Sequence, residues 1–251
     1  MIFSSSRFRV CEVFGIPLYV DISFAVLLAI FAFTTSSFDM GVALALMLAI
    51  SVVFHECAHS LTARLFGYET RDITVSLLGG CASLISLPHK AYQELLTAIA
   101  GPVASFFLAG LASLVLAVFP LGGTYPRALL YSFCVMNVML GTFNLLPALP
   151  MDGGRVFKSF LRFFMPRLKA TYVAMYVGRV LAVAIVVLPI LGIDRLWIFP
   201  LGGSFIRIFI AYMIWTESMR EYRHECARGA FGSWGQSSFR AKVSPPPYED
   251  D

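Results

Sequence analysis

His55, Glu56 and His59 stand in the run His55-Glu56-Cys57-Ala58-His59, two imidazoles four residues apart with a carboxylate directly after the first. On a helix this spacing puts both rings on one face, where they can grip one Zn²⁺, while the glutamate can serve as base toward a water beside the metal. The chain has four histidines, so shuffling places a pair four apart in roughly 5% of cases and adds the glutamate in roughly 0.1–0.2%. The alternative, polar side chains merely satisfied within a helix bundle, is weakened by the surroundings. No charge occurs from Met40 to Phe54, and histidines and a carboxylate sunk in hydrocarbon are costly unless they have partners or a task.

The elements that must position these residues are membrane helices. Of 251 residues, 58% are hydrophobic and 14% charged, with a mean hydropathy of +0.77, whereas soluble domains carry about 25% charged residues. The composition predicts an all-α polytopic membrane protein whose surroundings are lipid and other membrane proteins, and it offers nothing for nucleic acid. Cys11, Cys57, Cys81, Cys134 and Cys226 form no CxxC pair and are odd in number, so neither a disulfide framework nor a cysteine zinc site is expected. The polar, basic stretch from Met1 to Pro17 precedes an apolar segment with no small-residue cleavage site behind it, so that segment is expected to remain as an anchor.

Charge-poor stretches of about 20 residues give about six transmembrane helices: Ile22–Phe38, Met40–Ala63, Leu95–Phe119, Ala128–Leu149, Ala170–Leu191 and Leu196–Thr216. A turn-rich connection, Pro120–Pro126, separates the third from the fourth. Thr70–Ser86 is too short and too rich in β-branched residues to span. Its halves around Gly79-Gly80 read as a short re-entrant β-hairpin, which a bilayer tolerates only where protein covers it or water reaches it.

Positive charge concentrates on the cytoplasmic side of membrane proteins. With the N-terminus inside, fifteen of the nineteen Lys and Arg residues fall in cytoplasmic segments, Arg127 and Arg195 lie outside, and Arg179 and Arg207 lie within spans. Both termini are therefore expected in the cytoplasm, in a multi-pass protein of the cell membrane. Arg179 and Arg207 are expected to snorkel or to pair with a carboxylate. The second span then runs outside to inside with His55 and His59 in its last two turns, which places a zinc site within the bilayer, on the order of 10 Å below the cytoplasmic boundary. A catalytic zinc needs three protein ligands and one open position. Asp152 closes the fourth span, which runs the same way, in the stretch from Asn144 to Gly154; there Pro147 and Pro150 unwind the helix end and Gly153-Gly154 let the backbone turn close to the metal. The competing reading of Asp152 is a solvated acid at the interface.

HECAH on the second span, Gly79-Gly80, Ala100-Gly101-Pro102 early in the third and NLLPALPMDGGR closing the fourth resemble, in order and spacing, the site-2 protease family of intramembrane zinc metalloproteases. The likeness covers about residues 10–220. It implies that His55, His59 and Asp152 hold one Zn²⁺ per chain, that Glu56 is the catalytic base, and that the activity is cleavage of transmembrane segments of membrane-anchored substrate proteins. It also implies a three-helix core formed by the second to fourth spans, within a catalytic core of about residues 40–155. Asn144 is the candidate oxyanion donor by the same analogy, with a helix-to-helix hydrogen bond as the alternative. Many relatives carry asparagine where this chain has Ser105, and no catalytic role is assigned to that serine. The expected form is compact, without a PDZ insertion or C-terminal regulatory domains.

Residues 1–220 are read as the membrane domain and 221–251 as a cytoplasmic polar tail, with Gly229–Asp251 disordered by composition. Pro245–Tyr248 has the form of a WW-domain ligand but reads more simply as tail. His89 and His224 lie in polar surroundings and read as solvated. Two further functions fit parts of the pattern. A metal-using transporter or channel predicts an inverted repeat, and none is visible; an inactive membrane adaptor predicts loss of Glu56 or a ligand, and all four residues are present.

Overall fold

The computed structural model describes residues 7–35, 37–76, 79–85, 88, 90–119, 123–191 and 204–240. Contacts divide the chain into two compact units, Met1–Pro147 with Met151–Phe163, and Ala148–Pro150 with Phe164–Asp251.

The first unit contains β1 (Arg7–Val13), β2 (Ile16–Asp21), α1 (Ser23–Thr34), α2 (Phe38–Leu65), β3 (Thr70–Ser76), β4 (Gly79–Leu84), α3 (Ala91–Val118), α4 (Thr124–Asn144) and α5 (Asp152–Leu161). The all-α expectation needs correction: the helices carry a four-stranded sheet in the order β1-β2-β3-β4. The basic N-terminal stretch is not a plain polar lead-in. Phe14 and Gly15 take positive φ and turn β1 back antiparallel on β2, a turn glycine supplies without Cβ strain. β2 then runs parallel to β3, with Leu18 opposite Ile73 and Val20 opposite Val75, and β3 pairs antiparallel with β4, Ile73 opposite Ala82. Alternate residues of a strand share a face, so Ile16 and Leu18 of β2 and Ile73 and Val75 of β3 point one way and pack on Val52 and Cys57 of α2 and on Phe24 of α1. The sheet is thereby fastened to the helix that bears the histidines, with β4 along α2.

α1, α2, α3, α4 and α6 (Arg167–Ile190) overlap the first five apolar stretches with shifted ends, α4 stopping at Asn144 instead of Leu149, while α5 matches none of them and α7 (Ser204–Arg240) runs on past the expected end at Thr216. α2 and α3 are 28 residues each, about 42 Å at 1.5 Å per residue. Among the described residues three helices are long and apolar enough to cross a membrane, α2, α3 and α6. α1 has 12 residues. Thr124–Pro126, expected in the connection, form the first turn of α4, where proline's missing N–H costs nothing. The bundle α2, α3, α4 and α5 positions the site, and α3 packs on all three of the others.

The second unit is built on α6 and α7. Arg179, expected to snorkel or to pair with a carboxylate, lies over the Trp215 ring, 4.5 Å from its centroid, a cation–π contact. Arg167 grips Glu225 through Nε at 3.0 Å and Nη2 at 2.7 Å. α7 runs through Gly229–Arg240, where composition predicted disorder; the rest of that tail, with Pro245–Tyr248, lies outside the described residues, as do the start of the sixth expected span and His89.

Candidate active site

α2 brings His55 and His59 to one face, one turn apart. Both are buried, at 3% and 6% exposure. Asp152, the first residue of α5 and 8% exposed, reaches them from the chain that follows α4: its Oδ2 lies 3.0 Å from His55 Nε2 and 3.1 Å from His59 Nε2. The three donor atoms lie within 4.8 Å of one another. The other carboxylate oxygen, Oδ1, faces Arg155 Nη1 at 3.9 Å, which leaves Oδ2 turned to the histidines.

The far sides of both rings are fixed. His59 Nδ1 lies 2.7 Å from the Thr97 carbonyl. That oxygen can only accept, so the hydrogen belongs on Nδ1, and a neutral ring then turns its lone pair outward at Nε2. The lone pair faces a carboxylate oxygen. Two acceptors at that separation repel unless a cation, a proton or a metal ion, lies between them. His55 Nδ1 contacts Ser105 Oγ at 2.8 Å inside the protein, which presents its Nε2 to the same point. An orienting partner on the second nitrogen is the usual support of a ligating histidine.

Gly101 supplies the second test of fit. A Cβ there would overlap His59 Nε2 and would lie 2.5 Å from His55 Nε2. The absent side chain is the space directly in front of the two ligating atoms. Gly153 has a different role from the one its sequence position suggests: a Cβ on it would strike the Leu145 carbonyl, so glycine there lets the chain fold back between α4 and α5, while the close approach to the metal position is made by Gly101. The donor set, its outward lone pairs and the open space beside it fit a metal ion held by His55, His59 and Asp152.

Glu56 projects from α2 toward the sheet. Its Oε2 accepts the Ala82 N–H of β4 at 3.0 Å, and a Cβ on Gly80 would lie 2.5 Å from Glu56 Cγ; β4 can run this close to α2 because residue 80 is glycine. Asn144 is the last residue of α4, and its side-chain amide donates to Leu140 O at 3.0 Å within its own helix. Thr97 and Ser105 carried no site role in the sequence reading. Ser105 had a visible signal, its place three residues after Gly101-Pro102. Thr97 had none, because it acts through a backbone carbonyl that every residue type possesses.

The profile of peptidase family M50 matches residues 43–126 and 121–185, and the chain belongs to that family. The matched segments hold all of His55, Glu56, His59, Ser105 and Asp152. Among curated relatives, the chain is 34% identical over 190 residues to Zinc metalloprotease MJ0392 of Methanocaldococcus jannaschii, covering 74% of this chain and 55% of that protein. It is 33% identical over 226 residues to Putative zinc metalloprotease sll0528 of Synechocystis sp., covering 84% of this chain and 59% of the relative. It therefore spans somewhat over half the length of these relatives. The solved structure of a site-2 protease from Methanocaldococcus jannaschii superimposes with a TM-score of 0.62 at 29% identity, over 86% of this chain and 95% of that one.

Proposed function

We propose that this chain is a zinc metalloendopeptidase of the cell membrane that cuts transmembrane segments of membrane-anchored proteins. The observation that carries the reading is the convergence of His55 Nε2, His59 Nε2 and Asp152 Oδ2 one residue from a glutamate on the same helix. A Zn²⁺ in that place would act as Lewis acid, polarising a carbonyl and lowering the pKa of water to about 7.

The protein's own groups divide the remaining work. Thr97 O and Ser105 Oγ orient the imidazoles. Glu56 accepts the proton of the attacking water and passes it to the departing amide nitrogen, general acid–base assistance that is typically about 10²–10⁴-fold in rate. Its Oε2 is held by the Ala82 N–H, which leaves Oε1 for the proton. Asn144 is the proposed second donor to the developing oxyanion: its amide has two hydrogens and Leu140 O takes one.

The proposed topology has six spans with both termini cytoplasmic and the metal in the cytoplasmic half of the bilayer, the core at about residues 40–155 within a membrane domain of residues 1–220. A helix hides its peptide bonds in its own hydrogen bonds, so the substrate must unwind before cleavage. β4 ends the strand order, and an unwound segment can add to such an edge through main-chain hydrogen bonds. The test is metal content of the purified protein together with cleavage of a membrane-anchored model substrate, with and without chelator. Stoichiometric zinc with chelator-sensitive cleavage supports the reading, and cleavage indifferent to the chelator refutes it.

A further inference from the structure

Two buried charged side chains, Glu94 and Lys158, and a partly buried third, Arg162, lie beside the site and outside the chemistry above. Lys158 is 2% exposed and Glu94 5%. Lys158 Nζ lies 2.8 Å from Glu94 Oε1, and Arg162 Nη1 donates to Glu94 Oε2. Both oxygens of one carboxylate are thus taken by two cations four residues apart, one in the last turn of α5 and one at its C-cap. Burying such charges costs desolvation that apolar packing would avoid, so a buried ion cluster is weak evidence for stability and is best attested as a device that fixes register.

The position of the cluster indicates which register. Glu94 stands in the first turn of α3, one turn before Thr97, whose carbonyl holds His59, and two turns before Gly101. Lys158 lies in the last turn of α5 and Arg162 caps its C-terminus, at the opposite end from Asp152, its first residue. α5 has 10 residues and is about 15 Å long, and its near end follows a turn. Gripping only that near end would leave the helix free to rotate about its axis, and a slip of one residue, about 100°, would carry Asp152 away from the histidines. An apolar contact tolerates such a slip. A carboxylate shared by two cations does not, because the slip strands buried charge.

We infer that Glu94, Lys158 and Arg162 are positioning residues of the metal centre: the clamp sets the rotation of α5 against α3 and so aims Asp152 Oδ2 at the two Nε2 atoms. This rests on the metalloprotease reading and adds to it a requirement away from the ligands.

The test uses the full chain purified in detergent, with Zn²⁺ affinity measured by competition with a chelator on the monodisperse fraction and thermal stability measured separately. Lys158→Met leaves Glu94 paired with Arg162, so no carboxylate is stranded. Its Zn²⁺ affinity should fall about 10–100-fold, the usual effect of removing support behind metal ligands, with kcat on a membrane-anchored substrate reduced and KM unchanged. Lys158→Arg, which keeps a cationic donor, should recover most of the loss. Glu94→Asp keeps the charge but draws it back by one methylene and should weaken Zn²⁺ binding in the same sense, which supplies the measurement if the methionine variant does not fold. Variants that lose thermal stability while binding Zn²⁺ like the wild type, or an arginine variant no better than the methionine one, would overturn the inference. A wild-type protein that binds no Zn²⁺ would instead overturn the metalloprotease reading beneath it.

Discussion

Gly101→Ala adds one methyl group to α3 and changes no charge and no ligand. Its Cβ would overlap His59 Nε2 and stand 2.5 Å from His55 Nε2. Ordinary van der Waals contact begins near 3.4 Å, so one or both imidazoles must retreat by roughly 1 Å, whereas metal–ligand distances are held to about ±0.2 Å. At least one histidine is then lost as a ligand. Because removing mere support behind a ligand already costs about 10–100-fold in affinity, losing the ligand itself should weaken Zn²⁺ binding by at least about 100-fold, with proteolysis falling in parallel. The fold should survive, since overpacking by a methylene costs about 1–3 kcal/mol and alanine restores about 0.5–1 kcal/mol of helix preference over glycine. Gly110→Ala is the control: it lies on the same helix with nothing within 4 Å of its Cβ, and it should bind zinc and cleave substrate as the wild type does. Chelator competition on both variants decides the matter. Wild-type zinc affinity in Gly101→Ala would show that the metal does not lie in front of these two nitrogens.

Glu56→Gln should keep zinc stoichiometry near one while cleavage falls by about 10²–10⁴ or more; near wild-type turnover would remove Glu56 as the base. His55→Ala, His59→Ala and Asp152→Ala should each lower zinc content as well as activity, because each takes one of three protein bonds from an open site, and full zinc occupancy in Asp152→Ala would mean that the third ligand lies elsewhere. Ser105→Ala should weaken zinc binding about 10–100-fold through the loosened His55 ring, with Ser105→Asn restoring much of it; equal affinity in Ser105→Ala and wild type would reduce that hydrogen bond to a packing detail. Mass spectrometry of products should place the cut in the cytoplasmic third of the substrate helix, and glycine or proline at that depth should speed cleavage, since they cost a helix about 1 and 3 kcal/mol per residue relative to alanine. Cuts near the outer leaflet would refute the proposed depth.

Much of this was legible in the chain because the signals are local. HECAH declares two rings on one helical face through spacing alone. The long apolar runs declare helices, and α2, α3, α4 and α6 lie where those runs predicted. The prolines of NLLPALPMDGGR signalled the end of α4, yet the helix stops at Asn144, short of the expected Leu149, and Asp152 opens the separate helix α5 instead of closing the fourth span. What was missed in the N-terminal stretch was legible in part: Phe14-Gly15 is a turn signal, but the parallel pairing of β2 with β3 joins Leu18 to Ile73, a partner no local pattern names.

The sequence by itself determined two imidazoles on one helical face with a carboxylate beside them, the candidate ligands and base, and the apolar helices that carry them, because residue chemistry and helical periodicity act over a few positions. Only the tertiary structure decided that Asp152 Oδ2 meets both Nε2 atoms, that Thr97 O and Ser105 Oγ hold the rings, that Gly101 rather than Gly153 leaves the space before them, and that Glu94 is clasped by Lys158 and Arg162. These are contacts between residues tens of positions apart. They arise from how whole helices pack, where a backbone carbonyl or a missing Cβ matters as much as any side chain, and a one-dimensional pattern has no term for either.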